Sequence, residues 1–153
     1  MENNSHLRNI LYLDDVRTPT ETLPNAHPWI IVRNYDEFVD YITNNGIPDV
    51  ISFDHDLGEE HVKDYIEQVF KNNYQNPDYD SYTEKTGLDC AKFLCEYATS
   101  MNQEIKTCIV HSQNPVGAYN IMHYINGFIN HMGWSGSCYI HRFSHTNKNN
   151  NAE

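Results

Sequence analysis

The segment Asp49-Val50-Ile51-Ser52-Phe53-Asp54-His55-Asp56-Leu57-Gly58 decides how the chain is read. Val50 to Phe53 is short and mostly apolar or β-forming, which is the pattern of a buried strand. Asp54, His55 and Asp56 follow at once, and Gly58 lets the backbone turn. Three ionisable residues in a row at a strand end are expensive to keep there unless they bind something. In open α/β sheets, ligands lie in the crevice beyond the carboxyl ends of the strands, where this triplet falls. Taken alone, a polar turn with helix-capping carboxylates fits equally well, so the rest of the chain has to choose.

Upstream, Asn9 to Leu13 reads as a strand running straight into Asp14-Asp15-Val16-Arg17. Thr18 to Pro28 contains Pro19, Pro24 and Pro28, a loop where a doubly wound fold puts its first helix. Trp29 to Val32 is a second strand. Tyr35 to Ile42 is a helix with Phe38, Val39 and Ile42 at helical spacing, closed by Asn45-Gly46.

Downstream, Val62, Tyr65, Ile66, Val69 and Phe70 follow the spacing of an amphipathic helix. Asn72 to Lys85 is polar and Tyr-rich, a solvated loop by composition, with a lid as the other reading. Thr86-Gly87 opens a helix from Leu88 to Met101 with Cys90, Phe93, Leu94 and Tyr97 inward. Thr107 to Val110 is a fourth strand, ending in His111-Ser112-Gln113-Asn114-Pro115. Val116 to Met132 is a helix whose apolar face is Tyr119, Met122, Ile125, Phe128, Ile129 and Met132, stopped by Gly133. Ser137 to Ile140 is the last strand, followed by His141-Arg142, and the Asn-rich tail over 144–153 is expected to be disordered.

Strands alternating with helices or a long loop imply an α/β fold with a five-stranded parallel sheet. In such a sheet all strand ends share one edge. Strands one, three, four and five end in Asp14-Asp15, Asp54-His55-Asp56, His111-Ser112 and His141-Arg142. Four scattered polar turns thereby become one site. At 153 residues the chain is expected to form a single domain over 1–153. Its net charge of −11 argues against a partner as long and anionic as nucleic acid. Cys90, Cys95, Cys108 and Cys138 lack C-x-x-C spacing and fall in strand and helix runs, as reduced core residues do. No signal peptide or transmembrane-length apolar run is present, which points to a cytoplasmic protein with no membrane partner.

Asp14, Asp15, Asp54 and Asp56 are hard oxygen ligands suited to a divalent metal, with Mg²⁺ or Mn²⁺ the first choice. Four carboxylates meeting without a cation would repel one another. His111 and His141 come from different strands and suit a general acid and base, with His55 as a further partner for His111. Asn114, Pro115, Val116 and Gly117 open a helix whose free N–H groups make a seat for an anion. Arg17 and Arg142 offer charge-assisted contacts to phosphate. His123 and His131, mid-helix, read as packing or surface residues.

Asn9 to Arg17 resembles the first strand of response-regulator receiver domains, and Pro48 to Asp54 their third, with Asp54 at the phospho-acceptor position. His111-Ser112 stands where receivers carry Thr or Ser. The chain departs from ordinary receivers in its Pro-rich loop, its lack of a last helix and its lack of the receiver Lys, with His141 or Arg142 nearest. The combination of Leu13-Asp14-Asp15-Val16-Arg17, Phe53 to Gly58 and His111 to Gly117 is more similar to the cyclic-phosphate-processing receiver domains, over roughly residues 8 to 143. That resemblance implies a flavodoxin-like sheet in order 2-1-3-4-5 with a helical or loop insertion after strand three. It also implies opening of a cyclic phosphate on a nucleotide or nucleotide-derived metabolite, in RNA repair or phage–host immune conflict.

The resulting expectation is a metal-assisted phosphodiesterase acting on a small cyclic-phosphate nucleotide. Its metal ligands would be Asp14, Asp15, Asp54 and Asp56. Its catalytic residues would be Asp54, His55, His111, Ser112 and His141, and its substrate contacts Arg17, Asn114, Gly117 and Arg142. Two other functions share these residues: a nucleotide sponge without catalysis, and a degenerate receiver phosphorylated on Asp54.

Overall fold

The computed structural model describes residues 10–19, 29–58 and 85–141. The expected helix over 62–70, nearly all of the Tyr-rich segment over 72–85, Arg142 and the 144–153 tail lie outside the described residues. Five strands form one sheet: β1 (Ile10–Leu13), β2 (Ile30–Val32), β3 (Val50–Phe53), β4 (Thr107–Val110) and β5 (Ser137–Ile140). Their order is β2-β1-β3-β4-β5, with every neighbouring pair parallel, as in a flavodoxin-like receiver fold. The interior strand β1 is buried along its whole length, which explains its unbroken apolar run before Asp14. At the edge, β2 leaves Ile30 and Ile31 exposed.

Among the described residues three helices accompany the sheet: α1 (Tyr35–Asn45), α2 (Gly87–Met101) and α3 (Pro115–Met132). Each starts on a side-chain cap. Asn34 accepts from the Glu37 amide, Thr86 and Asp89 form a capping box, and Asn114 accepts from the Gly117 amide with Pro115 next to it. The core joins Leu11, Leu13, Ile51, Phe53, Cys108 and Val110 of the sheet to Phe38 and Ile42, Leu94 and Ala98, and Ile121 and Ile125 of the three helices. Strand parity places those sheet residues on one face, so all three helices cover the same face. The other face carries Tyr12, Ser52 and Ile109, and two residues further along, Asp14, Asp54 and His111.

Two helix faces differ from expectation. In α2 the buried residues are Gly87, Cys90, Ala91, Leu94, Cys95 and Ala98, while Phe93 and Tyr97 are only partly buried. In α3 the buried set is Gly117, Ala118, Ile121, Ile125 and Ile129, Met122 and Phe128 lie at its margin, and Tyr119 is exposed. All four cysteines are buried free thiols, as their spacing suggested. Among the described residues no helix is long and apolar enough to cross a membrane.

Candidate active site

The backbone ladder continues one rung past the strands. The amides of Asp14, Asp54, His111 and His141 donate to the carbonyls of Val32, Leu13, Phe53 and Val110 at 3.2, 2.9, 2.9 and 2.9 Å. Parallel pairing therefore sets Asp14, Asp54, His111 and His141 in a row across the carboxyl edge of the sheet. This is the convergence expected from the strand ends.

Asp14 is fully buried and its carboxylate is saturated. Oδ1 accepts the Val16 and Arg17 amides at 3.0 and 2.8 Å, and Oδ2 accepts Arg17 Nε and His111 Nε2, both at 3.0 Å. Burial alone would raise its pKa; the His111, Arg17 and Val16 hydrogen bonds and the Arg17 charge outweigh it and hold the group well below the carboxylate range. Asp14 is thus an anion whose main task is to hold its neighbours.

His111 is also fully buried, behind Asp14 and away from the cleft wall. An ionised carboxylate can only accept, so Nε2 carries the proton, and Nδ1 accepts the Ser52 hydroxyl at 2.6 Å. Burial lowers the ring's pKa against the pull of Asp14, and the Tyr12 ring stacks on it at 4.5 Å between centroids. Sequence reasoning missed Ser52 and Tyr12. The signal for Ser52 was present: a hydroxyl inside a buried strand needs a partner. Ser52→Ala leaves Nδ1 without its donor in a site closed to water, and is expected to cost about 1–3 kcal/mol of stability in urea unfolding. An unchanged unfolding midpoint would refute that role.

Asp54 sits between this buried relay and solvent. Its Oδ1 accepts the His55 amide at 2.8 Å, and Oδ2 lies 3.6 Å from Arg17 Nη2. Burial first, and the Asp14 charge second, push its pKa up to about 7, with Arg17 and the His55 amide pulling back. Burial and Asp14 also raise Asp15. Asp54, Asp15 and Asp56 line a cleft of about 440 Å³ together with Arg17, Ser112 and Asn114. Asp56 accepts from His55 Nδ1 at 2.8 Å and from Asn114 Nδ2 at 3.3 Å.

His55 is fully buried, since the first turn of α3 lies on its ring: a Cβ on Gly117 would come within 2.4 Å of it. The structure therefore gives His55 and Gly117 a packing contact with each other. His141 is half-buried at the end of the row. Arg33, after β2, was also missed: its Nη1 donates to the carbonyls of Asp14 and Arg17 at 3.0 and 2.8 Å. It obeys the same strand-end rule that found the others.

Asp14, Asp54 and His111 lie close enough to hold a metal ion, with one ligand atom from each within 4.8 Å of the others. This set differs from the expected four carboxylates, because Asp15 and Asp56 line the cleft outside it. His111 can join such a set only by giving up the proton it shares with Asp14. The raised carboxyls of Asp54 and Asp15, crowded beside Asp14, fit a hard divalent cation that would relieve their repulsion.

No curated protein and no solved structure matches the chain significantly. A family model does, over residues 9–127 of the 153, and it is described as the cyclic-phosphate processing receiver domain. With the strand order and the strand-end row already in place, this match means that the chain belongs to the cyclic-phosphate processing receiver domain family.

Proposed function

We propose that the protein is a hydrolase that opens a cyclic phosphate on a small nucleotide or nucleotide-derived metabolite with the help of a divalent cation, Mg²⁺ or Mn²⁺. The observation that carries this reading is the cleft in which Asp15, Asp54 and Asp56 face the guanidinium of Arg17. Carboxylates alone would exclude a phosphate; a cleft with both signs accepts a phosphate together with a cation. When bound, the cation neutralises phosphoryl charge and lowers the pKa of an attacking water.

The protein's own residues do the rest. Arg17 is locked by Asp14 through Nε, which leaves Nη2 directed towards Asp54 and the cleft. That geometry suits a non-bridging phosphoryl oxygen. Asn114, held by Asp56, and Ser112 supply neutral contacts in the same cleft, and Arg142 is a further proposed contact. Asp54, with Asp14 beside it, would hold the cation, and Asp15 faces the same cleft. Water would add to phosphorus as the ring P–O bond breaks, its hydroxyl staying on phosphorus and its other proton ending on the departing oxygen. His111 then serves as a positioning residue, acting through Asp14, with His141 as its neighbour in the row. The net charge of −11 favours a small substrate over long RNA, and a cytoplasmic setting suits a nucleotide metabolite.

A panel of 2′,3′- and 3′,5′-cyclic nucleotides, incubated with and without Mg²⁺ or Mn²⁺ and read by mass spectrometry, tests the reading. The expected result is metal-dependent gain of one water by at least one nucleotide. A nucleotide bound tightly but returned unchanged would identify a sponge. Phosphate taken up from a small phosphodonor and lost in Asp54→Ala would identify a receiver.

A further inference from the structure

The acidic cleft shares Gly58 with a second cleft, about 480 Å³ in volume, lined by Arg33, Tyr35, Asp36 and Lys85 among others. Three of the chain's ten Lys and Arg residues, Arg17, Arg33 and Lys85, thus border two adjoining clefts in a protein of net charge −11. Arg33 is braced through Nη1 on two backbone carbonyls, which fixes its guanidinium without cancelling its charge. Lys85 Nζ stands 5.6 Å from the centre of the Tyr35 ring, a cation–π distance. Among the described residues neither cation is in an ion pair, and the one carboxylate in this cleft, Asp36, is exposed. A pair of cations, one of them rigid, faces a cavity of ligand size.

The hydrolase reading uses only the first cleft. Resting on that reading, we propose that the second cleft binds a second phosphate of the same substrate, so that the preferred substrate is a nucleotide cyclic phosphate carrying a further phosphate ester. Gly58, with no side chain, lets such a molecule lie across the shared wall. Arg33 ties the two clefts together, because the carbonyls that brace it belong to Asp14 and Arg17. A phosphate on Arg33 is therefore held at a fixed offset from one on Arg17.

Calorimetric titration compares three probes: adenosine 2′,3′-cyclic phosphate, the same nucleotide with a 5′-phosphate, and ribose 5-phosphate. Wild type is expected to bind the 5′-phosphorylated nucleotide about tenfold more tightly than the plain one, as one charge-assisted contact allows. Lys85→Gln should reduce that preference at least threefold and leave affinity for the plain cyclic nucleotide unchanged. Arg33→Gln should abolish it. Because Lys85 is exposed, its variant stays informative even where Arg33→Gln fails to fold. Equal affinity for both nucleotides, with the plain one still bound, overturns the second site alone. Binding of ribose 5-phosphate that weakens in Lys85→Gln, without binding of either cyclic nucleotide, keeps the phosphate site and overturns the reading of the first cleft. Binding of none of the three overturns both.

Discussion

Asp54→Asn is expected to raise the melting temperature of the metal-free protein at pH 8 while abolishing both its response to divalent cations and its turnover. The three effects have one cause. The Asp54 carboxyl is buried beside the Asp14 anion, and its pKa of about 7 already includes the attraction of Arg17. Keeping it ionised in the fold costs up to about 4 kcal/mol, at about 1.4 kcal/mol for each of some three pKa units. Asn removes that cost and retains an acceptor for the His55 amide, but turns its NH2 donors towards the Arg17 guanidinium, which offsets part of the gain. A net gain on the order of 2 kcal/mol, or about 5 °C, is therefore expected.

Because the folded-state pKa is raised, the contribution of Asp54 to stability is fully present below the unfolded carboxyl value. It is lost as pH rises through about 7. The advantage of Asn should accordingly vanish near pH 4 and be complete by pH 8. Saturating Mg²⁺ or Mn²⁺ should stabilise wild type by about 2.7 kcal/mol at a hundred times the dissociation constant. The variant should gain almost nothing and turn over about 10² times more slowly or worse. A variant that melts below wild type at pH 8 and still gains stability from the metals would end the cation reading.

The sheet was legible because parallel strands buried on both faces stay largely apolar whatever packs on them, as Ile10 to Leu13 shows. The row of site residues was legible because strand ends in a parallel sheet share an edge. The depth of each side chain was not. Parity sends Tyr12, Ser52 and His111 to the same side, and the pairing of Ser52 with His111 draws the ring inward, away from the cleft. Strand-end position says that a histidine is near the site; only its partners say which way it faces. The helix faces failed for a related reason. Helix α2 packs beside both α1 and α3, so its small residues Ala91, Cys95 and Ala98 meet the core, and Phe93 reaches sideways to Tyr35. A pattern that ranks residues by size puts Phe93 and Tyr97 inward, whereas close approach of helix and sheet selects the small ones.

Gly87→Ala is expected to be the most damaging single methyl group in the described part of the molecule. Gly87 is the first residue of α2, and its amide donates to the His55 carbonyl at 2.7 Å. A Cβ there would lie 1.9 Å from the Asp54 carbonyl oxygen and 3.0 Å from His55 Cα. Both neighbours are backbone, so no side-chain rotation relieves the clash. Either α2 retreats and loses its contact with the site turn, or Asp54 moves out of the row. A loss of about 3 kcal/mol is expected, with a fall of about 10 °C in melting temperature. Any folded fraction should bind divalent metal more weakly. Gly127→Ala is the matched control, because it lies exposed within α3 with nothing within 4 Å of a new Cβ. There the same methyl should stabilise by about 1 kcal/mol through helix propensity alone. Opposite signs for the two substitutions would establish that α2 presses on the Asp54 turn. Equal, mild effects would mean that the turn carrying Asp54 is not clamped by that helix, and the positioning assigned to it would fall.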